Sequence, residues 1–169
     1  MKRLLAIAPI ALSLLAVNAL AAETTKYTAL VNGGKTKAGH QTVVRDGDGT
    51  TKVEFLFKDN GRGPELKEEY KLDKDGNYAS YHVSGQSTFG AIIDETFARQ
   101  GDKARWKSTS DKGEQEVFGG ALYTPLGGTP DAFSVAIAAL ARRSDGKLPL
   151  IPSGTLTMQK LVDSEATRG

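Results

Sequence analysis

Between Tyr27 and Lys107 the chain repeatedly sets a glycine-bearing turn signal between short runs of alternating polarity, and this punctuation constrains the fold most. The signals are Asn32-Gly33-Gly34, Asp46-Gly47-Asp48-Gly49, Asp59-Asn60-Gly61-Arg62-Gly63-Pro64, Asp75-Gly76-Asn77 and Gly101-Asp102. Asn-Gly and Asp-Gly pairs supply the positive φ that tight hairpin turns require. Between them lie Tyr27–Val31, a second run holding His40, Val53–Lys58, Leu66–Leu72, Tyr78–Val83, Ile92–Ala98 and Ala104–Lys107. Period-two alternation rich in aromatic and β-branched residues is the strand signature. Strands joined by tight turns must be antiparallel, because a parallel pair needs a long crossover. The sequence therefore predicts a mainly β fold: an antiparallel meander of six to eight strands. Such a sheet manages its edges by curving into a half or whole barrel.

One helix interrupts this pattern, predicted over about 130–143. Thr129 suits the N-cap, Pro130 the first helical position and Asp131 the positive end of the dipole. From Ala132 to Ala141 only Ser134 is polar, and Arg142 and Arg143 are placed in the last turn. A stretch this apolar is expected to be buried on most sides, packed on or plugging the concave face of the sheet. Pro149 and Pro152 then mark a loop, Gly154–Val162 reads as a further strand, and Asp163–Gly169 is a polar tail. The organisation expected is a leader over 1–21, one β domain over 22–162 and the tail over 163–169.

The leader reading rests on Lys2 and Arg3, the apolar run Leu4–Val17, and Ala19-Leu20-Ala21 as small residues at peptidase-read positions. Cleavage is expected after Ala21, with Ala22 the alternative. The run is shorter than the roughly 20 residues that span a bilayer. The sequence contains no cysteine, which removes lipid anchoring, disulfides, thiolate metal sites and thiol nucleophiles. The expected product is periplasmic or secreted, with no stable membrane anchor.

Lys2 and Arg3 also account for the whole net charge of +2; without them 20 basic groups face 20 acidic ones. These alternate in sign, as in Lys71-Leu72-Asp73-Lys74-Asp75, and leave no basic stripe to displace counterions from nucleic acid. No nucleic-acid partner is expected.

Candidate chemistry is sparse. Asp73, Asp75 and Asn77 open like a calcium loop, but Tyr78 replaces its glycine and Ser84 its final glutamate, so a hairpin turn explains them. Asp46 and Asp48 fail likewise, with Phe57 at the bidentate position. Gly85-Gln86-Ser87-Thr88-Phe89-Gly90 lacks the spacing of a nucleophile elbow. His40 and His82 read as plain strand residues. Glu68, Glu69, Asp94 and Glu95 lie on neighbouring strands, adjacent ones facing opposite ways; solvated faces account for them. Trp106, Phe89 and Phe97 are assigned to the core. No catalytic, cofactor-binding or metal-ligating residue is assigned, and no cofactor. A curved sheet with a helix plug can also hold a lipid-like ligand.

A series of motifs resembles a known family. It comprises Tyr27-Thr28-Ala29-Leu30-Val31-Asn32-Gly33, Ala38-Gly39-His40, Val53-Glu54-Phe55, Asp59–Pro64 with Leu66-Lys67-Glu68-Glu69, Val83-Ser84-Gly85, Thr88-Phe89-Gly90 and Asp94-Glu95. Trp106, Tyr123-Thr124-Pro125, the alanine-rich helix and Leu150-Ile151-Pro152-Ser153-Gly154 complete it. Together these look like the β-rich N-terminal region of large secreted amidohydrolase-superfamily enzymes, the imidazolonepropionase-like and prolidase-like metal-dependent hydrolases. In that family the chemistry belongs to a metal-binding barrel that begins with an H-x-H strand. His40 and His82 form no H-x-H, and a (β/α)₈ barrel takes some 200 residues or more. The resemblance therefore implies a non-catalytic accessory domain, with no catalytic residue carried over. The partners it leaves open are a hydrolase domain or, for a carrier, a hydrophobic small molecule. A standalone hydrolase using Ser87 or a carboxylate is the third expectation.

Overall fold

The computed structural model describes residues 21–159. The expected leader before Ala21, the end of the last predicted strand and the polar tail lie outside the described residues.

Eight strands follow in chain order: β1 (Glu23–Val31), β2 (Thr36–Arg45), β3 (Thr50–Phe57), β4 (Glu65–Leu72), β5 (Tyr78–Gln86), β6 (Ile92–Gln100), β7 (Lys103–Lys107) and β8 (Lys112–Glu116). They form one antiparallel sheet in sequential order, the meander that the turn signals dictate. At the β4–β5 turn, Gly76 has φ +82° and lies beneath the Arg142 guanidinium. The Asp73 carboxylate there accepts the Asp75 and Asn77 N–H groups at 2.9 and 3.0 Å. Those acidic residues build a hairpin. Among the described residues β1 and β8 do not pair with each other, so the sheet is open, compatible with the half-barrel and not the whole one.

Strand β8 was not expected, since Lys-Gly-Glu-Gln-Glu carries no apolar alternation. Gly113 explains its pairing, because the Trp106 ring occupies the space a Cβ would take. The Trp106 indole N–H then reaches Asp111 at 2.9 Å.

Register aligns the buried positions in rows and the exposed ones in others. Val43, Val53, Glu68, Val83 and Glu95 stand opposite one another in one row across β2–β6, all buried. The next row on that face holds Thr51, Tyr70, Tyr81, Phe97 and Trp106. The opposite face is solvated, with Lys52, Glu69, His82, Thr96 and Lys107 aligned in one exposed row.

The helix, α1 (Pro130–Ala141), covers the apolar face. Thr129 caps it, its hydroxyl accepting the Asp131 N–H, and Pro130 opens its first turn. Val135, Ala139 and Leu140 join the sheet's core cluster. Two expectations are corrected. Arg142 is the C-cap, so the helix ends before both arginines. Phe133 and Ile137 are largely exposed, so burial is confined to one face; the alanines around them offer too little side chain to be covered from every side.

A second small sheet adjoins the helix: β9 (Leu122–Tyr123), β10 (Lys147–Ile151) and β11 (Thr155–Thr157), in the order β11-β10-β9. The expected loop around Pro149 is thus a strand. Backbone bonds from Leu150 to Gly154 and from Met158 to Gly146 bracket the Pro149–Thr155 pair. Pro149 therefore occupies a non-hydrogen-bonded position, where its missing N–H costs no bond to β11. Among the described residues no helix is long and apolar enough to cross a membrane.

A candidate apolar cleft latched by two buried carboxylates

Glu68 and Glu95 are 3% and 2% exposed, which corrects the expectation of solvated faces. Burying an apolar side chain stabilises by about 2 kcal/mol, whereas an unpaired buried carboxylate costs several. Both need partners, and the loop between β9 and α1 supplies them. Glu95 accepts the Tyr123 hydroxyl at 2.5 Å, the Leu126 N–H at 3.0 Å and the Gly127 N–H at 3.2 Å. Glu68 accepts the Thr129 N–H at 2.9 Å and the Tyr81 hydroxyl at 3.1 Å through one oxygen, Oε2. Its other oxygen is buried without a partner, as is the Tyr78 hydroxyl. The two carboxylates therefore pin the segment 123–129 onto the sheet.

Burial pushes the Glu68 carboxyl above its ordinary range; the bonds from Thr129 and Tyr81 oppose this shift, and nearby Asp131 adds to it. Burial also raises the phenols of Tyr70, Tyr78, Tyr81 and Tyr123, so they stay protonated, and those of Tyr70, Tyr81 and Tyr123 donate to carboxylates. Their rings pack together: Tyr123 stacks on Phe97 at 4.4 Å, while Tyr78 meets Tyr70 and Tyr81 edge-on at 5.3 and 5.0 Å.

Above this pinned loop lies a cleft of about 470 Å³. Leu66 and Ile93 come from the sheet, Leu126 from the loop, Ala132 and Phe133 from α1, and Leu150 from β10. None of its lining residues carries a charge. Of these, Leu126 of the loop and Phe133 of α1 are each more than two-thirds exposed, and exposed Ile137 lies one helical turn beyond Phe133.

The other candidates disperse. Phe97 is in the core and Trp106 half-buried, as expected, but Phe89 is 86% exposed at a hairpin tip. His40 is exposed on the outer face, and His82 there meets Asp94 at 3.1 Å. The Ser87 hydroxyl accepts the Ala91 N–H at 3.2 Å within its own turn. Among the described residues no histidine is hydrogen-bonded to Ser87, and no group of three or more His, Asp or Glu side chains is placed to hold a metal ion.

The segment Asp59–Pro64, the most distinctive of the resemblance, is the β3–β4 loop, closed by paired backbone bonds between Asp59 and Arg62. No family model, curated protein or solved structure matches this chain. The amidohydrolase resemblance therefore rests on the residues quoted for it.

Proposed function

We propose that this chain is a secreted or periplasmic non-catalytic accessory β-domain that docks an apolar surface of a hydrolase partner, of amidohydrolase-associated type. One observation carries the reading: Leu126 and Phe133 line an uncharged cleft yet are largely exposed, and exposed Ile137 extends that surface by one helical turn. A cavity for a small molecule alone does not need two large apolar side chains of its lining left in water. A partner domain would remove both the cleft and these side chains from water at once.

A second reading has its own support. The cleft volume lies within the 300–1,000 Å³ range typical of small-molecule sites, and its uncharged lining suits a hydrophobic or lipid-like ligand carried outside the cytoplasm. Native mass spectrometry of the protein isolated from its source separates the two. A complex with a hydrolase barrel supports the docking reading. A lone chain with a stoichiometric lipid-like adduct overturns it in favour of a carrier.

A further inference from the structure

A second pocket, of about 310 Å³, lies where the edge strand β1 faces the first turn of α1, and it shares no lining residue with the apolar cleft. Its walls include Tyr27 and Phe55, its polar groups Gln41, Asp131 and Ser134. Asp131 is 4% exposed, and its Oδ2 accepts the Tyr70 hydroxyl at 2.6 Å. Among the described residues nothing donates to Oδ1, and no lysine or arginine pairs with this carboxylate. Gln41 is 9% exposed, and its buried Oε1 has no hydrogen-bond partner. The pocket thus presents the buried Asp131 carboxylate, the unpaired Gln41 amide oxygen and the exposed Ser134 hydroxyl, each able to accept, with Gln41 set between Tyr27 and Phe55 in one row of the sheet.

A buried acceptor without a donor, as Gln41 Oε1 is here, costs free energy until a donor arrives. A carboxylate without a cation, beside aromatic faces, selects a positive charge over a neutral group. We propose that this pocket binds a primary ammonium group. Its three N–H donors would be shared among the Asp131 carboxylate, Gln41 Oε1 and Ser134 Oγ, with the attached alkyl chain against Tyr27 and Phe55. A free alkylamine and a lysine side chain carry the same chemistry.

The test is an NMR titration of the ¹⁵N-labelled full chain with n-butylammonium chloride. Matched titrations with n-butanol and with sodium chloride serve as controls. Saturable shifts at the amides of Ala29, Gln41 and Ser134 are expected with the ammonium only, weakened roughly tenfold or more in Asp131→Asn. If Asp131→Asn fails to fold for want of the Tyr70 bond, Gln41→Leu gives the same readout from the opposite wall. Equal shifts with n-butanol, none with the ammonium, or undiminished binding in the folded variants would overturn the assignment. Adding N-acetyl-lysine methylamide and its Nζ-acetylated form separates the sources. Competition by the unacetylated form alone indicates a peptide lysine; a preference for butylammonium indicates a free amine.

Discussion

Glu68 and Glu95 flank Val83 in one row of the sheet, each directly opposite it, and both carboxylates reach up to the same loop. This arrangement places two acids in an apolar layer and makes the cleft wall depend on them.

Truncating Glu95 leaves the Tyr123 hydroxyl and the Leu126 and Gly127 amides without their acceptor. Glu95→Ala is expected to lose about 3–5 kcal/mol of stability, read as a lower urea midpoint. Glu95→Gln, which keeps one acceptor oxygen, is expected to lose less. Amide exchange at Leu126 and Gly127 should accelerate in both variants.

Glu68 gives stability a pH dependence with a definite sign. Burial raises its folded-state pKa above the ordinary 4.5, so the folded chain holds this proton more tightly than the unfolded one. The stabilisation is fully present below about 4.5 and is lost as pH rises through the raised folded value. Relative to Glu68→Gln, the wild type should lose stability between acid and neutral pH. Urea titrations across that range check the slope, and parallel profiles for the two proteins would contradict it.

Gly85 lies inside β5 at φ +141°, and a Cβ there would run into the Glu65 carbonyl of β4. Gly85→Ala is expected to cost upwards of about 2 kcal/mol by forcing two paired strands apart. Gly49→Ala, at a turn with open space around it, should cost only its φ strain of about 1 kcal/mol. A thermal midpoint lowered clearly more in Gly85→Ala than in Gly49→Ala is the expected result.

Much of this was legible in the residues because each hairpin carries its own local instruction. Asp-Gly and Asn-Gly turns and period-two alternation specify the meander through β7, and Thr129-Pro130-Asp131 specifies the start of the helix. Lys112–Glu116 was not legible, because its pairing depends on the Trp106 ring crossing Gly113, a contact outside its own segment. Pro149 was misread because its compatibility with a strand depends on which pairs of a ladder carry bonds. The alternation did contain the burial of Glu68 and Glu95: Glu68 shares parity with Leu66 and Tyr70, and Glu95 with Ile93 and Phe97. Charge outweighed parity in that reading, since the donors that make burial tolerable come from residues some thirty to sixty positions later.

The proposed docking face can be broken without touching the core, because Leu126 and Phe133 are exposed. The Leu126→Asp/Phe133→Asp double variant should fold with a urea midpoint close to the wild type.

The most direct measurement is co-purification of the full chain with an H-x-H metal hydrolase encoded in frame or immediately downstream, compared with the double variant. The expected result is a stable complex with the wild type, lost in the folded double variant. No complex with the wild type, or an equally stable one with the variant, would contradict the docking role proposed for the cleft.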